Sequence, residues 1–320
     1  MKITPNEALA LASAELRPRA QIKILSKESG LREHTVRYLL TKLQRDGIIK
    51  ALPVVNLHRL GLTTVNVFFT VGAHRKSTSA ALLKLLSSTP EVIWIGEFGG
   101  EYQYGVAICA KEVCTVLEIL HTLSAKYRGV FFDKALSVQY GTTIISRRYL
   151  SNKRFSIQPL TSKFTKEQVE IDQLDRQILG VLGAGGAPSN RDVAAKLGIP
   201  ASTVDLRVKK LTESSVIEGE MFAVDCTKYG YNSFKLLIYS KGVESTLTAG
   251  LSKFCYSQPN VTYLIELLGS WDYEIGVEVP RAEDLTEIMQ EIYEQFGALV
   301  TSIKVLSKFR DIKFRWYPGE

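Results

Sequence analysis

The sequence predicts an α+β chain in which one unit, a winged helix-turn-helix followed by a βαββαβ domain, is written twice in tandem. Three observations carry this. The chain aligns with itself at an offset of 168 or 169 positions, pairing Gly30 with Gly198, Gly61 with Gly230, Pro90 with Pro259 and Gly100 with Gly269. That spacing is too long for a solenoid repeat and suits duplication of a multi-element unit. Within each copy the apolar period changes from 3.6 to 2 or to short apolar runs. A chain of 320 residues also has room for two to four small domains. The expected divisions are 1–58 and 166–228 for the helical heads, 59–145 and 229–320 for the βαββαβ domains, and a basic linker at 146–165.

In the first unit, "QIKILSKESGLREHTVRYLLTKLQRDGII" gives a short helix with Ile22, Ile24 and Leu25 as candidate inward residues. Gly30 supplies the tight turn, since glycine enters the left-handed conformation without a Cβ penalty. Val36, Leu39, Leu40 and Leu43 then stand at i, i+3, i+4 and i+7, one apolar stripe of a helix ended by Gly47. "IIKALPVV" reads as the first strand of a wing. The second unit repeats the order, with Ile178, Leu179 and Leu182 in a first helix and Ser189 or Asn190 as N-cap of the next. Gly198 makes its turn, and Val204, Val208 and Leu211 form the inward stripe of its third helix.

After each head the chain reads strand, helix, strand, strand, helix, strand: "LTTVNVFFTV", "STSAALLKLLSS", "EVIWIGE", "EYQYGVAICA", "VCTVLEILHTLSAKY" and "VFFDKALSVQY" in the first copy. This order predicts a ferredoxin-like antiparallel sheet with both helices on one face. The other face then needs a cover, and a second copy of the module is the natural one.

No apolar run approaches the length of a membrane span, and Glu7 and Glu15 interrupt the N-terminal apolar stretch, so a cytoplasmic protein without membrane association is expected. Cys109, Cys114, Cys226 and Cys255 form no CxxC pair and read as buried free thiols. The net charge of +7 is unevenly spread: residues 1–165 hold 23 basic and 11 acidic side chains, the remainder 17 and 22. The first head alone has 11 basic against 5 acidic residues over 1–60, the second 8 against 10 over 166–228.

A helix-turn-helix of this size brings the start of its last helix to the major groove, where side chains off the core stripe meet base edges and phosphates. In the first head these are Arg32, His34, Thr35, Arg37 and Tyr38, with Lys42 further along; in the second, Ser202, Thr203, Arg207 and Lys210. Arginine can hold guanine bidentately, and lysine supplies charge to phosphate. The alternative is a solvated face of a structural helix pair. Asp205 stands where the first head has Arg37, and an acid repels phosphate, so the first head is expected to grip double-stranded DNA harder.

The second unit resembles the Lrp/AsnC family of regulators in "IDQLDRQIL", "LGIPASTVDLRVKKL", "YGY" and "GSWDYEIGVEV"; the first is similar in "SGLREHTVRYLLTKLQRDGII" and "GEYQYGVAI". The first departs from the pattern in its opening helix and in Leu39, which replaces the arginine kept as Arg207. The resemblance implies two winged helix-turn-helix heads and two effector domains of ferredoxin-like fold, called RAM, that pair through their sheets, bind an amino acid or related small molecule, and assemble into homo-oligomers. Gly100, Glu101, Tyr102, Gln103 and Tyr104, with Gly269, Trp271, Asp272 and Tyr273, would then line the effector cleft. A plain turn with aromatics packed at the seam is the competing reading.

Siroheme decarboxylases resemble the same family and occur as fused double units, so an enzyme on this frame is the alternative function. Such an enzyme needs basic and histidine side chains in its cleft, whereas His34, His58, His74 and His121 fall outside any histidine cluster. "GAGGAP" (183–188) lacks a following Lys-Ser/Thr and reads as an interhelical loop, and neither a nucleophile elbow nor a metal-ligand cluster is present, so neither catalytic residues nor a cofactor are expected.

Overall fold

The computed structural model describes residues 2–72, 76–127, 130, 131, 133–185, 189–242 and 244–319. The first head holds α1 (Pro5–Ala14), α2 (Ile22–Ser29) and α3 (Glu33–Arg45). A capping box opens α1: the Glu7 amide donates to Thr4 Oγ1 at 3.3 Å, and the Glu7 carboxylate accepts from the Thr4 amide at 2.8 Å. Gly30, at φ +80°, closes α2. The stripe Val36, Leu39, Leu40 and Leu43 is buried against Leu11 and Leu25. Ile24, expected inward, is 44% exposed, because the buried side of α2 runs through Leu25 and Ser29 and Ile24 stands off it.

The chain continues through β1 (Ile49–Val55), β2 (Thr63–Thr70), α4 (Lys76–Ser88), β3 (Val92–Gly99), β4 (Tyr104–Ala110), α5 (Val113–Lys126) and β5 (Asp133–Ile144). After β6 (Leu160–Lys163), the second head has α6 (Gln173–Gly183), α7 (Asn190–Leu197) and α8 (Ala201–Glu213). Ser189 is the N-cap of α7, accepting from the Asp192 amide. Then come β7 (Ile217–Val224), β8 (Asn232–Ser240), α9 (Ser245–Ser257), β9 (Val261–Gly269), β10 (Tyr273–Val279), α10 (Asp284–Phe296) and β11 (Val300–Phe314).

The two βαββαβ sheets have orders β3-β4-β2-β5 and β9-β10-β8-β11, and they join edge to edge through β3–β11 and β5–β9. The result is a closed antiparallel barrel of eight strands, with β6 added along the end of β5. Each copy thus supplies what the other lacks, a cover for its bare face and partners for both open edges. The helices of each copy pack on the outside, around Leu82 and Leu86 in the first and Leu251 and Ile292 in the second. One end of the lumen is filled by Phe68, Phe98, Tyr102, Leu237, Leu267, Trp271 and Leu306.

The strand expected to begin a wing behaves differently. β1 pairs with β7 of the other unit, from Ile49 opposite Val224 to Val55 opposite Ile217, as a two-stranded ribbon. Phe222 and Val224 therefore pack beneath the first head, while Leu52 and Val54 pack beneath the second. Each head is seated on the other copy's strand, which ties the two heads together.

The expected basic linker is also more structured than its composition suggests. Arg147 is buried, its amide donating to Glu15 Oε2 at 2.7 Å and its guanidinium to Glu15 Oε1 at 2.5 Å and to Glu278 at 2.7 and 2.8 Å. Tyr149 Oη donates to Glu278 and lies 2.9 Å from Tyr229 Oη. One arginine thereby locks the end of α1, the linker and β10 of the second copy. Of the cysteines, Cys109, Cys226 and Cys255 are buried free thiols as expected; Cys114 is exposed, because it opens α5 on its outer face.

Candidate nucleic-acid interface and the barrel loops

The first turn of α3 begins at Arg32, whose extended backbone leaves the N-terminal amides open, and no side chain caps them. Arg32, His34, Arg37 and Tyr38 are exposed beyond it, Tyr38 at 61%, and Thr35 is half-buried. Among the described residues Arg32 and Arg37 form no ion pair, so both guanidiniums face solvent unspent. Lys42 is different: its ammonium lies 2.5 Å from Glu7 Oε1 and fastens α3 to α1.

The face of α8 has the same geometry, but Arg207, Lys209 and Asp205 are committed to neighbours and, among the described residues, Lys210 alone of its basic side chains forms no ion pair. Arg207 Nη1 is 2.5 Å from Asp172 and 3.2 Å from Asp175, the capping box of α6. Lys209 is 3.7 Å from Glu213, and Asp205 accepts from Asn190 Nδ2 at 2.5 Å. Ser202 and Lys210 are exposed and Thr203 half-buried, while Leu206, opposite number of Tyr38, is 68% exposed. The heads also touch: Arg19 donates to Asn190 Oδ1 at 2.7 Å and pairs with Glu220 at 2.9 Å. Residues 186–188 of the glycine-rich loop fall outside the described residues.

The two loops singled out as an effector cleft close one end of the barrel. Asp272 Oδ2 accepts from the amide and hydroxyl of Ser240 at 2.7 and 2.9 Å. Gln103 Oε1 accepts from the Val71 amide at 3.1 Å. Val71 and Ser240 are equivalent under the duplication, so Gln103 and Asp272 satisfy the same backbone group, and a neutral or a charged acceptor both serve. Tyr102 and Trp271 point into the lumen, where the Phe68 and Trp271 rings meet edge to face at 5.1 Å; Tyr104 and Tyr273 are buried in the outer cores. Gly269, at φ +152°, lies so close to β5 that a Cβ would come within 2.5 Å of Leu136 O, and one on Gly100 within 2.9 Å of Val305 O. Glu101 is 2.6 Å from Lys304 on β11. These residues are brought together as a seam between the copies, with the side chains of Glu101, Gln103, Trp271, Asp272 and Tyr273 already partnered.

The open space lies at the other end. A cavity of about 390 Å³ is bounded by the ribbon, through Ile49, Lys50 and Ala223, and by the barrel, through Asn66, Lys235 and Arg315. Its walls are not legible in the sequence because they alternate with core positions on ten separate strands, the two of the ribbon and the eight of the barrel. In its depth Lys235 pairs with Glu274, both buried, and lies over the rings of Trp94 at 4.7 Å and Tyr263 at 5.2 Å. Glu274 also accepts from Asn66 Nδ2 at 3.2 Å and Trp271 Nε1 at 3.1 Å. Burial works against the Lys235 ammonium, yet the Glu274 carboxylate holds its pKa above the ordinary value. None of His34, His58 and His121 lines this cavity, and His74 lies outside the described residues. Among the described residues no helix is long and apolar enough to cross a membrane.

With two helical heads on a crossed ribbon and a barrel of paired ferredoxin-like sheets, the architecture is a tandem double unit of helix-turn-helix and βαββαβ domains. Residues 171–212 match the family model of the AsnC-type helix-turn-helix domain. The chain is 26% identical over 127 residues to the HTH-type transcriptional regulator FL11 of Pyrococcus horikoshii, spanning 39% of this chain and 82% of that protein. It is likewise 26% identical over 151 residues to an uncharacterized HTH-type transcriptional regulator of Pyrococcus furiosus, spanning 47% of this chain and all of that one. Among solved structures, the siroheme decarboxylase NirDL in complex with an iron-uroporphyrin III analogue shares the fold over 98% of this chain and 93% of its own, at 14% identity and a TM-score of 0.59. The chain thus carries an AsnC-type helix-turn-helix domain at residues 171–212, within a duplicated frame that shares its fold with NirDL.

Proposed function

We propose that the protein is a DNA-binding transcriptional regulator whose first head dominates contact with the duplex and whose paired RAM domains sense a small molecule. The observation that carries the first part is the contrast between α3 and α8. Arg32 and Arg37 stand exposed and unpaired at the start of α3, whereas Arg207 and Lys209 on α8 are spent on acids of their own head. Free guanidiniums at the start of a reading helix are the groups that meet guanine edges and phosphates. Because the heads are joined by Arg19 and the ribbon, they present two dissimilar readers in fixed relation, which suits an operator without strict twofold symmetry. Assembly into larger homo-oligomers is part of this reading, on the family resemblance. A mobility-shift titration with duplex fragments from the protein's own promoter region, in dilute salt, is the direct test. Retardation is expected; its absence even at low ionic strength would overturn the reading.

A second reading, a siroheme decarboxylase-like enzyme, draws on the shared fold with NirDL over almost the entire chain. Anaerobic incubation with siroheme, followed by absorbance, tests it: an unchanged spectrum removes it.

A further inference from the structure

The duplication makes a charged network at one end of the cavity and leaves its counterpart unfinished at the other. Arg147 corresponds to Trp316 at the repeat offset, Glu278 to Cys109, and Glu15 to Gly183. At the first position two buried carboxylates meet one guanidinium. At the second no carboxylate remains, yet cations are present. Half-buried Arg315 follows β11, and Lys50 of β1 stands at the cavity mouth. Among the described residues neither is paired with an acid; Arg315 Nη2 donates only to Gly180 O at 3.2 Å. Arg315 Nε and Trp316 Nε1 are buried donors without a partner, on residues that both line the cavity, and Trp316 is only 8% exposed. Deeper in, Asn66 Oδ1 is a buried acceptor without a partner. Partial desolvation and then the Arg315 guanidinium lower the pKa of Lys50, as expected of like charges held without a counter-ion.

We propose that this cavity binds an organic anion, its oxyanion group received by Lys50, Arg315 and Trp316 Nε1 and its apolar body lying among Ile93, Phe314 and the ribbon. Unpaired buried donors and uncompensated cations are costly unless a ligand completes them, and the volume falls in the range of small-molecule sites. Asn66 Oδ1 calls for a hydrogen-bond donor on the same molecule. Since Lys50 belongs to the ribbon and Arg315 follows the last barrel strand, the bound anion bridges the part that carries both heads to the part that does not. The site stands whether or not the heads bind DNA.

The test uses the full-length protein and the fluorescent aromatic sulfonate 1-anilinonaphthalene-8-sulfonate, which carries an anion, an apolar body and an N–H donor. One saturable site per chain is expected, with affinity about ten-fold weaker in Lys50→Gln and weaker again in Arg315→Gln, as for loss of charge-assisted hydrogen bonds. Displacement by 1-naphthoate or by phenyl phosphate tells a carboxylate site from a phosphate site. Thermal melting supplies a second readout: a Lys50→Gln protein that melts no lower than the native one fits a cation held for a ligand. Absence of saturable binding, or equal affinity in Lys50→Gln and native protein, would overturn the proposal. Lys50 is exposed, so its variant remains a valid test should Arg315→Gln fail to fold.

Discussion

Lys42 Nζ lies 2.5 Å from Glu7 Oε1, and this pair does in the first head what Arg207 and Asp175 do in the second. Glu7 and Asp175 are equivalent under the repeat, both the third residue of a capping box, but their cations are not: the position of Arg207 holds Leu39, and the charge has moved one turn along the helix. The departure of the first unit from the second is thus compensated, and α3 remains docked on α1.

This pair makes stability depend on acid pH. Burial would raise the Glu7 pKa, but the bonds from Lys42 and Thr4 outweigh it and hold the carboxyl below its ordinary value of 4.5. Its contribution is therefore complete above that value and is lost as pH falls through the lower folded value. The melting temperature of the native protein should drop on acidification below about pH 5, and Glu7→Gln should melt lower at neutral pH with a shallower acid slope. Parallel pH profiles for the two proteins would contradict this.

Binding asymmetry follows from the uncommitted cations. Arg37→Ala should weaken duplex binding more than Ser202→Ala and reduce the salt dependence by roughly one counterion. Lys42→Ala should affect binding chiefly through head stability, since its ammonium is occupied. Mobility-shift titrations at several salt concentrations, with melting curves for each variant, separate these effects; equal losses for Arg37→Ala and Ser202→Ala would refute the asymmetry.

The elements themselves were legible because each is locally dictated: the stripe Val36, Leu39, Leu40, Leu43 and the turn at Gly30 require nothing beyond their neighbours in sequence. What local pattern cannot encode is pairing between distant copies. β1 looks like the start of a wing, and only its partner β7, some 170 residues on, makes it a ribbon. Arg147 likewise sits in a polar stretch that reads as linker until Glu15 and Glu278 converge on it. For Gln103 and Asp272 the sequence exposed the correspondence but not the purpose, which is visible only in the amides of Val71 and Ser240.

Arg147 offers a sharp stability test. Removing it leaves Glu15 and Glu278 buried together without the cation that pairs with both, and breaking such a pair typically costs about 3–5 kcal/mol. Arg147→Ala should therefore unfold at markedly lower denaturant concentration than the native chain. Replacing the carboxylates as well, in Arg147→Met with Glu15→Gln and Glu278→Gln, should recover much of the loss. Urea titrations followed by tryptophan fluorescence report both, and a mild loss in Arg147→Ala alone would argue against the network as a buried lock.

The seam loops give the last prediction. Asp272→Asn keeps an acceptor for the Ser240 amide, as Gln103 does for Val71, and should be nearly neutral; Asp272→Ala orphans that amide and should cost about 1–3 kcal/mol. Gly269→Ala should be worse than either, because its Cβ would press within 2.5 Å of Leu136 O at a φ of +152° that side chains rarely adopt. The strain falls on the β5–β9 junction, so the damage should appear as a looser barrel, with faster amide exchange along β5 and β9. If Asp272→Asn instead abolished a small-molecule response while leaving melting and exchange untouched, these loops would have to be read as a ligand cleft after all.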